Sequence, residues 1–345
     1  MTNTQLIELT DENSYVFLLS LAAFLLAMFL TPIYTYFAYR FKFWKQQRST
    51  STTGEKLEVF TKLHENKFKR NIPTMAGLIF LVAITIISMF NLDRGQTYLP
   101  LAALIGGGIV GLLDDIINLR GVGGGVAGMR SGIKFLMITL VGLILGWWFF
   151  SMNGIDSVFI PFIGDISIGW TIIPLFTFAV VATGNAVNIS DGLDGLAGGL
   201  AGISYCTFGV IALLQGQVFL SGFCFTVAGA LLSYIWFNIY PARFFMGDVG
   251  SFSLGAALGV VAILTNSIFL LPIIGVVFVA EAGSSALQIF SKKVFHRRIF
   301  RSAPVHHHLE AIGWPETKVT MRFWVVGVVA SFLGLMIAVA GGVIG

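Results

Sequence analysis

The stretch YVFLLSLAAFLLAMFLTPIYTYF, residues 15–37, decides the fold class, because it runs for 23 residues without a charged side chain. A helix of about 20 apolar residues is long enough to cross a lipid bilayer. The acidic residues Glu8, Asp11 and Glu12 precede the stretch, whereas a secretory signal peptide begins with a basic segment and has a shorter apolar core. We therefore interpret residues 15–37 as a membrane span and not as a cleavable signal.

The composition extends this interpretation to the whole chain of 345 residues. Apolar residues make up 56% of the chain and charged residues 11%, whereas soluble globular proteins carry about 25% charged residues. Together with a mean hydropathy of +0.86, these values exclude soluble, disordered, collagen-like and coiled-coil proteins. Cys206 and Cys224 both lie within apolar runs, so neither a disulfide framework nor a CxxC metal site is predicted.

Ten apolar runs of about 17 to 23 residues predict ten transmembrane helices. The runs lie near residues 15–37, 74–91, 98–117, 133–151, 169–187, 196–214, 217–238, 250–266, 270–291 and 323–344. The division between the eighth and ninth runs rests on Thr265, Asn266 and Pro272. Because neither a soluble domain nor an internal repeat is visible, the sequence predicts an all-α polytopic membrane protein, with a single integral membrane domain over residues 1–345.

The basic residues predict the orientation of these helices. Of the 21 Lys and Arg residues, 20 lie in loops that the ten spans place on one face, and only Arg94 lies on the other. The positive-inside rule makes the basic face cytoplasmic and both termini external. The predicted cytoplasmic loops are residues 38–73, 118–132, 188–195, 239–249 and 292–322. Setting the topology is a sufficient reason for most of these charges, although a basic rim would also attract an anionic ligand.

Five aspartates lie at the predicted cytoplasmic helix ends, in the motifs GLLDDIINL (111–119), NAVNISDGLDGLAGG (185–199) and FFMGDVGS (244–251). They are Asp114, Asp115, Asp191, Asp194 and Asp248. Carboxylates at membrane depth are costly and commonly functional. Any single one could merely cap a helix or pair with an arginine, but three clusters at one face favour a shared site.

The spacing of the aspartates limits how they can act. Adjacent Asp114 and Asp115 diverge by about 100° on a helix, so only one can point squarely at a common site and unequal mutational effects are expected. Asp191 and Asp194 would share one face of a helix, or Asp191 would cap the sixth span. Asp248 lies in a glycine-flanked turn before a helix, where phosphate is favoured. Since carboxylates repel phosphate unless a cation intervenes, the cluster predicts Mg²⁺-bridged pyrophosphate chemistry.

Three histidines stand together in RIFRSAPVHHHLEAIGWPETKVTMRFW, residues 298–324. They are His306, His307 and His308. A zinc site is one interpretation, but three consecutive residues of a helix cannot all face one ion. We favour the interpretation in which the imidazoles and Arg301 donate to phosphate oxygens, with Lys69 and Thr74 of KRNIPTMAG (69–77) as similar donors. Glu281, in the ninth span, is either an internal hydrogen-bond partner or part of a polar groove.

These motifs resemble those of the MraY family, the phospho-N-acetylmuramoyl-pentapeptide transferases, within the polyprenyl-phosphate N-acetylhexosamine-1-phosphate transferase superfamily. The resemblance covers about 250 residues, from PTMAG at Pro73 to RFW at Trp324, and the ten-helix topology of the family agrees with the count above. Members that act on other sugar phosphates, such as WecA and TagO, share the aspartate motifs but are less similar around HHHLExxGWPE.

The resemblance implies a reaction, a cofactor and a location. Phospho-MurNAc-pentapeptide would pass from UDP-MurNAc-pentapeptide to undecaprenyl phosphate, giving lipid I and UMP, in the first membrane step of peptidoglycan synthesis. Mg²⁺ would be the cofactor, and the reaction would occur at the cytoplasmic side of the bacterial inner membrane. Membrane lipid would surround the protein, nucleic acid would have no part, and a homodimer is left open. The alternatives are a GlcNAc-1-phosphate transferase of the WecA or TagO type and, with less support, an ion-coupled transporter, which would place polar groups near mid-membrane.

The resemblance also implies roles for individual residues. Asp248 matches the metal ligand of the family, and Asp114 and Asp115 match the pair proposed to engage or deprotonate the lipid phosphate. Substrate-binding positions are matched by Lys69, Thr74, Lys134, Asn188, Asp191, Asp194, Asn238, Phe245, His306, His307 and His308. The chain departs from the family at Asn118, where lysine is usual, and at Ile72, where threonine is usual, which bears on donor selectivity more than on the reaction.

Overall fold

The computed structural model describes residues 3–44, 71–121 and 128–344, and within these ranges the chain forms twelve α-helices and one β-hairpin. The helices are α1 (Asn3–Arg40), α2 (Gly77–Ser88), α3 (Tyr98–Arg120), α4 (Ser131–Asn153), α5 (Ile172–Ser190), α6 (Leu196–Leu214), α7 (Val218–Asn238), α8 (Gly247–Leu264), α9 (Leu271–Ile274), α10 (Val276–Phe295), α11 (Val305–Ala311) and α12 (Glu316–Ala340). Eight of them are long and apolar enough to span a membrane: α1 from Ser14 onward, α3, α4, α5 with the turn before it, α6, α7, α8 and α12. This confirms the prediction of an all-α, multi-pass membrane protein.

Two of the predicted spans take a different form from the one expected. Residues 74–91 contain α2, whose 12 residues reach about 18 Å, less than the roughly 30 Å of a hydrocarbon core. Residues 270–291 contain the single turn of α9 and most of α10, with a break at Gly275. Helix α10 is not among the eight helices that are apolar enough to span, and it carries Glu281 and two lysines. The number of ten crossings therefore stays a prediction.

Helix α8 lies at the centre of the bundle, with 94% of its 18 residues buried inside the protein. Glycines allow its neighbours to approach closely: a Cβ on Gly111 of α3 would overlap the backbone at Asp248, and a Cβ on Gly255 of α8 would overlap the backbone at Thr183 of α5. Small residues are favoured at such contacts because packing, and not the hydrophobic effect, holds helices together in lipid. The contact at Gly111 brings the start of α8 against the turn of α3 that carries the aspartate pair.

A small antiparallel hairpin of β1 (Ser157–Ile160) and β2 (Gly164–Ser167), which the sequence did not predict, lies between α4 and α5. It packs at the end of α8 that is remote from the aspartates. There Asn266 accepts the Phe159 N–H at 2.9 Å and donates to Asp165 at 3.2 Å. Because the chain leaves α8 before Asn266, which has a φ of 50°, the predicted division after the eighth span is confirmed.

Candidate active site

Lys134 connects two of the aspartates that the sequence singles out. Its Nζ atom lies 2.8 Å from Asp114 Oδ2 and 2.6 Å from Asp248 Oδ2. Asp114 Oδ1 also accepts the backbone N–H of Met129 at 2.6 Å. Both carboxylates are buried, and the lysine side chain is only 13% exposed. Helices α3, α4 and α8 therefore meet at one shared, buried ion pair.

Asp115 reaches the same turn of α8 through a different contact. Its Oδ2 accepts the backbone N–H of Val249 at 3.0 Å, in the first turn of α8. The turn needs glycine at Gly247, which has a φ of 71° and where a Cβ would lie 2.6 Å from Asp115 Oδ2. Asp115 thus contacts the start of α8 directly and Asp114 is joined to it through Lys134, although the sequence led us to expect that only one would point at a common site. The unequal effect of their replacement stays a prediction.

The segment before α2 pairs with the segment before α8. The backbone N–H of Phe245 donates to the Pro73 carbonyl at 2.8 Å. Thr74 is buried beside Gly247, and its carbonyl accepts a hydrogen bond from the Tyr34 hydroxyl of α1 at 2.5 Å. This pairing brings Thr74 and Phe245, both predicted substrate-binding residues, to the start of α8.

The turn between α5 and α6 carries Asp191 and Asp194, and its form corrects two expectations. Helix α5 ends at Ser190 and α6 begins at Leu196, so the two aspartates do not share a helical face. Asp191 does not cap α6 either, because the N-cap position is Gly195. The physical reason is that the chain leaves helical geometry at Asp191, which has a ψ of 48°, and the left-handed Gly195, with a φ of 77°, precedes the first turn of α6.

Asp194 attaches this turn to its neighbours. Its carboxylate accepts the Ala242 N–H at 3.0 Å, and its own N–H donates to the Glu316 carboxylate at the start of α12, at 2.7 Å. The next N–H, of Gly195, donates to the Asn238 side chain at 2.9 Å. The predicted pocket residues Asp194 and Asn238 therefore hold the turn in place, and Glu316, which the sequence did not single out, takes part.

Asn188 joins the turn to the ion pair. Its side chain donates to the Ser251 hydroxyl at 2.8 Å, and Ser251 lies one turn of α8 beyond Asp248. The predicted residues that the structure gathers around the start of α8 are Thr74, Asp114, Asp115, Lys134, Asn188, Phe245 and Asp248. Lys69 lies outside the described residues.

The three histidines of α11 each contact a different protein group. His306 is fully buried, with Nδ1 2.7 Å from Glu281 Oε2, so Glu281 is an internal hydrogen-bond partner. His307 pairs with a glutamate of its own helix at 2.8 Å. His308 Nδ1 accepts the backbone N–H of Arg301 at 3.2 Å. The three imidazoles thus have separate hydrogen-bond partners, although the rings of His306 and His307 are adjacent, with centroids 4.1 Å apart.

An open cavity of about 470 Å³ lies beside α11. Its lining consists of Arg298, Ile299, Phe300, Arg301 and Ala311. Gln288 of α10 fixes this loop, because its side chain accepts the backbone N–H groups of residues 299 and 300 at 3.1 Å each and donates to the Phe300 carbonyl at 3.0 Å. Sequence reasoning missed Gln288, although a glutamine within a predicted span is itself a signal of an internal partner.

The carboxylate oxygens at the start of α8 are suitable ligands for a magnesium ion that is shared with substrate phosphates. Among the residues that the structure describes, no three His, Cys, Asp or Glu side chains come together as ion ligands. Mg²⁺ is commonly held by one or two carboxylates together with the phosphates of a substrate. Here the carboxylates of Asp114 and Asp248 share the Lys134 ammonium group and Asp115 lies against the same turn of α8, so oxygen ligands of the kind that Mg²⁺ prefers come together.

Comparison with known proteins connects this geometry with a family. Residues 97–266, which include the Lys134 ion pair, match the family model described as Glycosyl transferase family 4. Curated proteins named phospho-N-acetylmuramoyl-pentapeptide-transferase are similar over most of the chain.

The relatives come from several different organisms. The protein of Chloroflexus aggregans is 36% identical, over 97% of this chain and 92% of its own length. The protein of Geobacillus kaustophilus is 37% identical, over 92% and 96%, and that of Clostridium perfringens is 38% identical, over 79% and 90%. Identity above 30% over nearly the full length of both chains shows common descent, and the chain belongs to the phospho-N-acetylmuramoyl-pentapeptide-transferase family.

Proposed function

We propose that this protein transfers phospho-MurNAc-pentapeptide from UDP-MurNAc-pentapeptide to undecaprenyl phosphate, forming lipid I and UMP. The observation that carries the proposal is the buried ion pair of Asp114, Lys134 and Asp248, in a chain that is 36% identical over 97% of its length to a transferase of that name. Apolar helices around this site provide the surroundings in which a polyprenyl chain dissolves. UDP-GlcNAc is the less favoured donor, because the relatives are named for the muramoyl pentapeptide.

The proposed step forms one phosphorus–oxygen bond and breaks another. An oxygen of the lipid phosphate attacks the sugar-linked phosphorus of the donor, and the bond from that phosphorus to the bridging oxygen breaks. The bridging oxygen leaves with UMP. Because the lipid phosphate is already largely ionised at neutral pH, we assign the protein mainly a positioning role. Lys134 and the positive end of the α8 dipole would offset part of the repulsion between phosphates and carboxylates.

The proposal includes Mg²⁺, which Asp248 would hold together with substrate phosphates. Asp248 is 6% exposed, whereas Asp114 and Asp115 are each 1% exposed, so Asp248 is the most accessible of the three carboxylates. When bound, the ion supplies positive charge that stabilises the developing pyrophosphate.

Removal of divalent cations is expected to lower the transfer rate by about 100-fold or more, and added Mg²⁺ is expected to restore it. The measurement is UMP release by the purified protein in excess EDTA, followed by a Mg²⁺ titration. The melting temperature with and without EDTA serves as the control for loss of structure. Undiminished transfer in excess EDTA would contradict the metal role.

We also propose that the protein lies in the bacterial inner membrane with its reacting groups at the cytoplasmic side. The distribution of basic residues supports this orientation, since Arg94 is the only Lys or Arg that falls in a predicted external loop. The donor nucleotide and the lipid phosphate would then meet at that membrane surface.

The choice of donor tests the proposed function. With undecaprenyl phosphate and Mg²⁺, the purified protein is expected to form a lipid-linked product from UDP-MurNAc-pentapeptide at least about 100-fold faster than from UDP-GlcNAc. The products are identified by mass spectrometry of the lipid fraction. Product from UDP-GlcNAc alone would replace the proposal by a GlcNAc-1-phosphate transfer, and solute uptake into vesicles without any product would favour a transporter.

A further inference from the structure

His306 lies beneath the turn that carries Asp191 and Asp194 and does not reach the surface. His306 and Glu281 are both fully buried, and the distance from Nδ1 to Oε2 is 2.7 Å. The opposite edge of the imidazole faces the turn, because a Cβ built on Gly192 would overlap the ring at Nε2 and Cε1. The imidazole is therefore held between a glutamate of α10 on one side and the turn on the other.

Gly192 is not required by its own backbone conformation. Its φ lies outside the left-handed region in which glycine is favoured. The obstacle to a side chain at this position is the His306 ring. That ring cannot easily move aside, because it is buried and hydrogen-bonded to Glu281. The imidazole can therefore occupy this position only because Gly192 has no Cβ atom.

The glutamate belongs to a polar stripe along one face of α10. Its buried polar residues recur every three or four positions and are Glu281, Ser284, Gln288 and Ser291. Gln288 and Ser291 bind backbone groups of residues 297–300, and Glu281 binds His306. Helix α10 therefore holds the segment that leads to α11, and Glu281 is the member of the stripe that reaches the histidine.

We propose that Glu281 is a positioning residue for the donor site, acting through His306 on Gly192. The hydrogen bond from the imidazole to Glu281 keeps Nδ1 directed at α10. A carboxylate partner commonly fixes the tautomer and the orientation of a histidine ring in this way. The ring is thereby seated against Gly192, and this contact fixes the turn that carries Asp191 and Asp194. The inference rests on the proposed function, in which that turn forms part of the nucleotide pocket.

Substitution of Glu281 gives the first test. Glu281→Ala is expected to raise the KM for UDP-MurNAc-pentapeptide by about 10- to 100-fold and to leave the KM for undecaprenyl phosphate within about twofold. Glu281→Gln keeps an oxygen that accepts the Nδ1–H and is expected to stay within about threefold of the wild type. Ser291→Ala, a buried change on the same face that contacts the Arg297 carbonyl, is the matched control. A rise of both KM values together, or equal loss in Glu281→Ala and Glu281→Gln, would overturn the proposal.

A double-mutant cycle tests the contact with the turn. Gly192→Ala is expected to raise the donor KM by about tenfold in the presence of His306, and to have no further effect in the His306→Ala background, where the added methyl group has space. An equal effect of Gly192→Ala in both backgrounds would show that the imidazole is not the obstacle and would overturn the proposal.

A spectroscopic measurement separates this inference from the proposed function. In ¹⁵N-histidine-labelled protein, His306 is expected to give the signal of a ring protonated at Nδ1, and Glu281→Ala is expected to shift it. An unchanged signal would overturn the positioning role. If the wild type forms no product from the muramoyl donor, the proposed function fails. If the wild type is active and Glu281→Ala matches it in both KM values, only the positioning role fails.

Discussion

Replacement of Asp248 by Asn is expected to lower the rate of phosphosugar transfer by about 1000-fold or more while the protein still folds and inserts into the membrane. Asn has nearly the shape of Asp, and its amide oxygen can accept a hydrogen bond from Lys134, whose Nζ lies 2.6 Å from the Asp248 carboxylate. The packing of α8 against α3 would therefore be kept. The change removes one negative charge from the position where the proposed ion and the substrate phosphates meet.

The measurement compares UMP release by equal amounts of folded wild-type and variant protein over a range of Mg²⁺ concentrations. A monodisperse size-exclusion profile and a melting temperature close to that of the wild type establish that the variant is folded. Asp165→Asn, an exposed change of the same chemistry on β2, is the matched control and is expected to keep full activity. Turnover of Asp248→Asn near the wild-type rate would refute the role of Asp248 as ion ligand.

The convergence of the aspartates could be predicted because so few charged residues are present. In a chain with 11% charged residues, a carboxylate at a helix end is conspicuous. The positions of the apolar runs alone then indicate where along the membrane normal that carboxylate lies. Asp114 and Asp248 are 134 positions apart, so no local sequence pattern connects them. Both were nevertheless assigned to one face of the membrane by counting the spans between them. Lys134, at the start of α4, was found through the family resemblance, and the structure gives it a physical role as their common cation.

The parts of the site that could not be predicted depend on contacts between distant segments. The pairing of Glu281 with His306 joins residues 25 positions apart on two helices, and neither residue carries a signal that names its partner. The turn at Asp191 was misjudged because a spacing of three residues describes a helix only where the helix continues. The helix ends before Asp191, whose backbone ψ of 48° is a conformation that composition does not reveal.

Hydropathy also failed to describe the form of two spans. It reports how apolar a run is and does not report whether the helix is continuous. Residues 270–291 are apolar enough to be interpreted as one crossing, but the chain breaks at Gly275 and continues as α10. The buried polar residues of α10 make this helix less apolar. The same residues bind the segment before α11.

Replacement of Lys134 by Met is the second change with a large expected effect, and it should reduce both stability and activity. Met has a similar length and no charge, so Asp114 and Asp248 would face each other without the ammonium group that now lies within 2.8 Å of both. Removing one partner of a buried ion pair costs about 3 to 5 kcal/mol, because a buried charge is left uncompensated. We expect a lower melting temperature in detergent and a transfer rate reduced by about 1000-fold. Lys293→Met, an exposed change at the end of α10, is the control and should alter neither.

A second substitution separates the two effects of Lys134→Met. Adding Asp114→Asn removes one of the two opposed charges, and the amide oxygen of Asn can still accept the Met129 N–H, which now donates to Asp114 at 2.6 Å. The melting temperature of the double variant is therefore expected to recover toward the wild-type value, because the buried repulsion is gone. Transfer is expected to remain low, because neither the cation nor the second carboxylate is restored. If the double variant were no more stable than Lys134→Met, uncompensated charge would not be the cause of the instability, and the ion pair would not be what joins α3, α4 and α8.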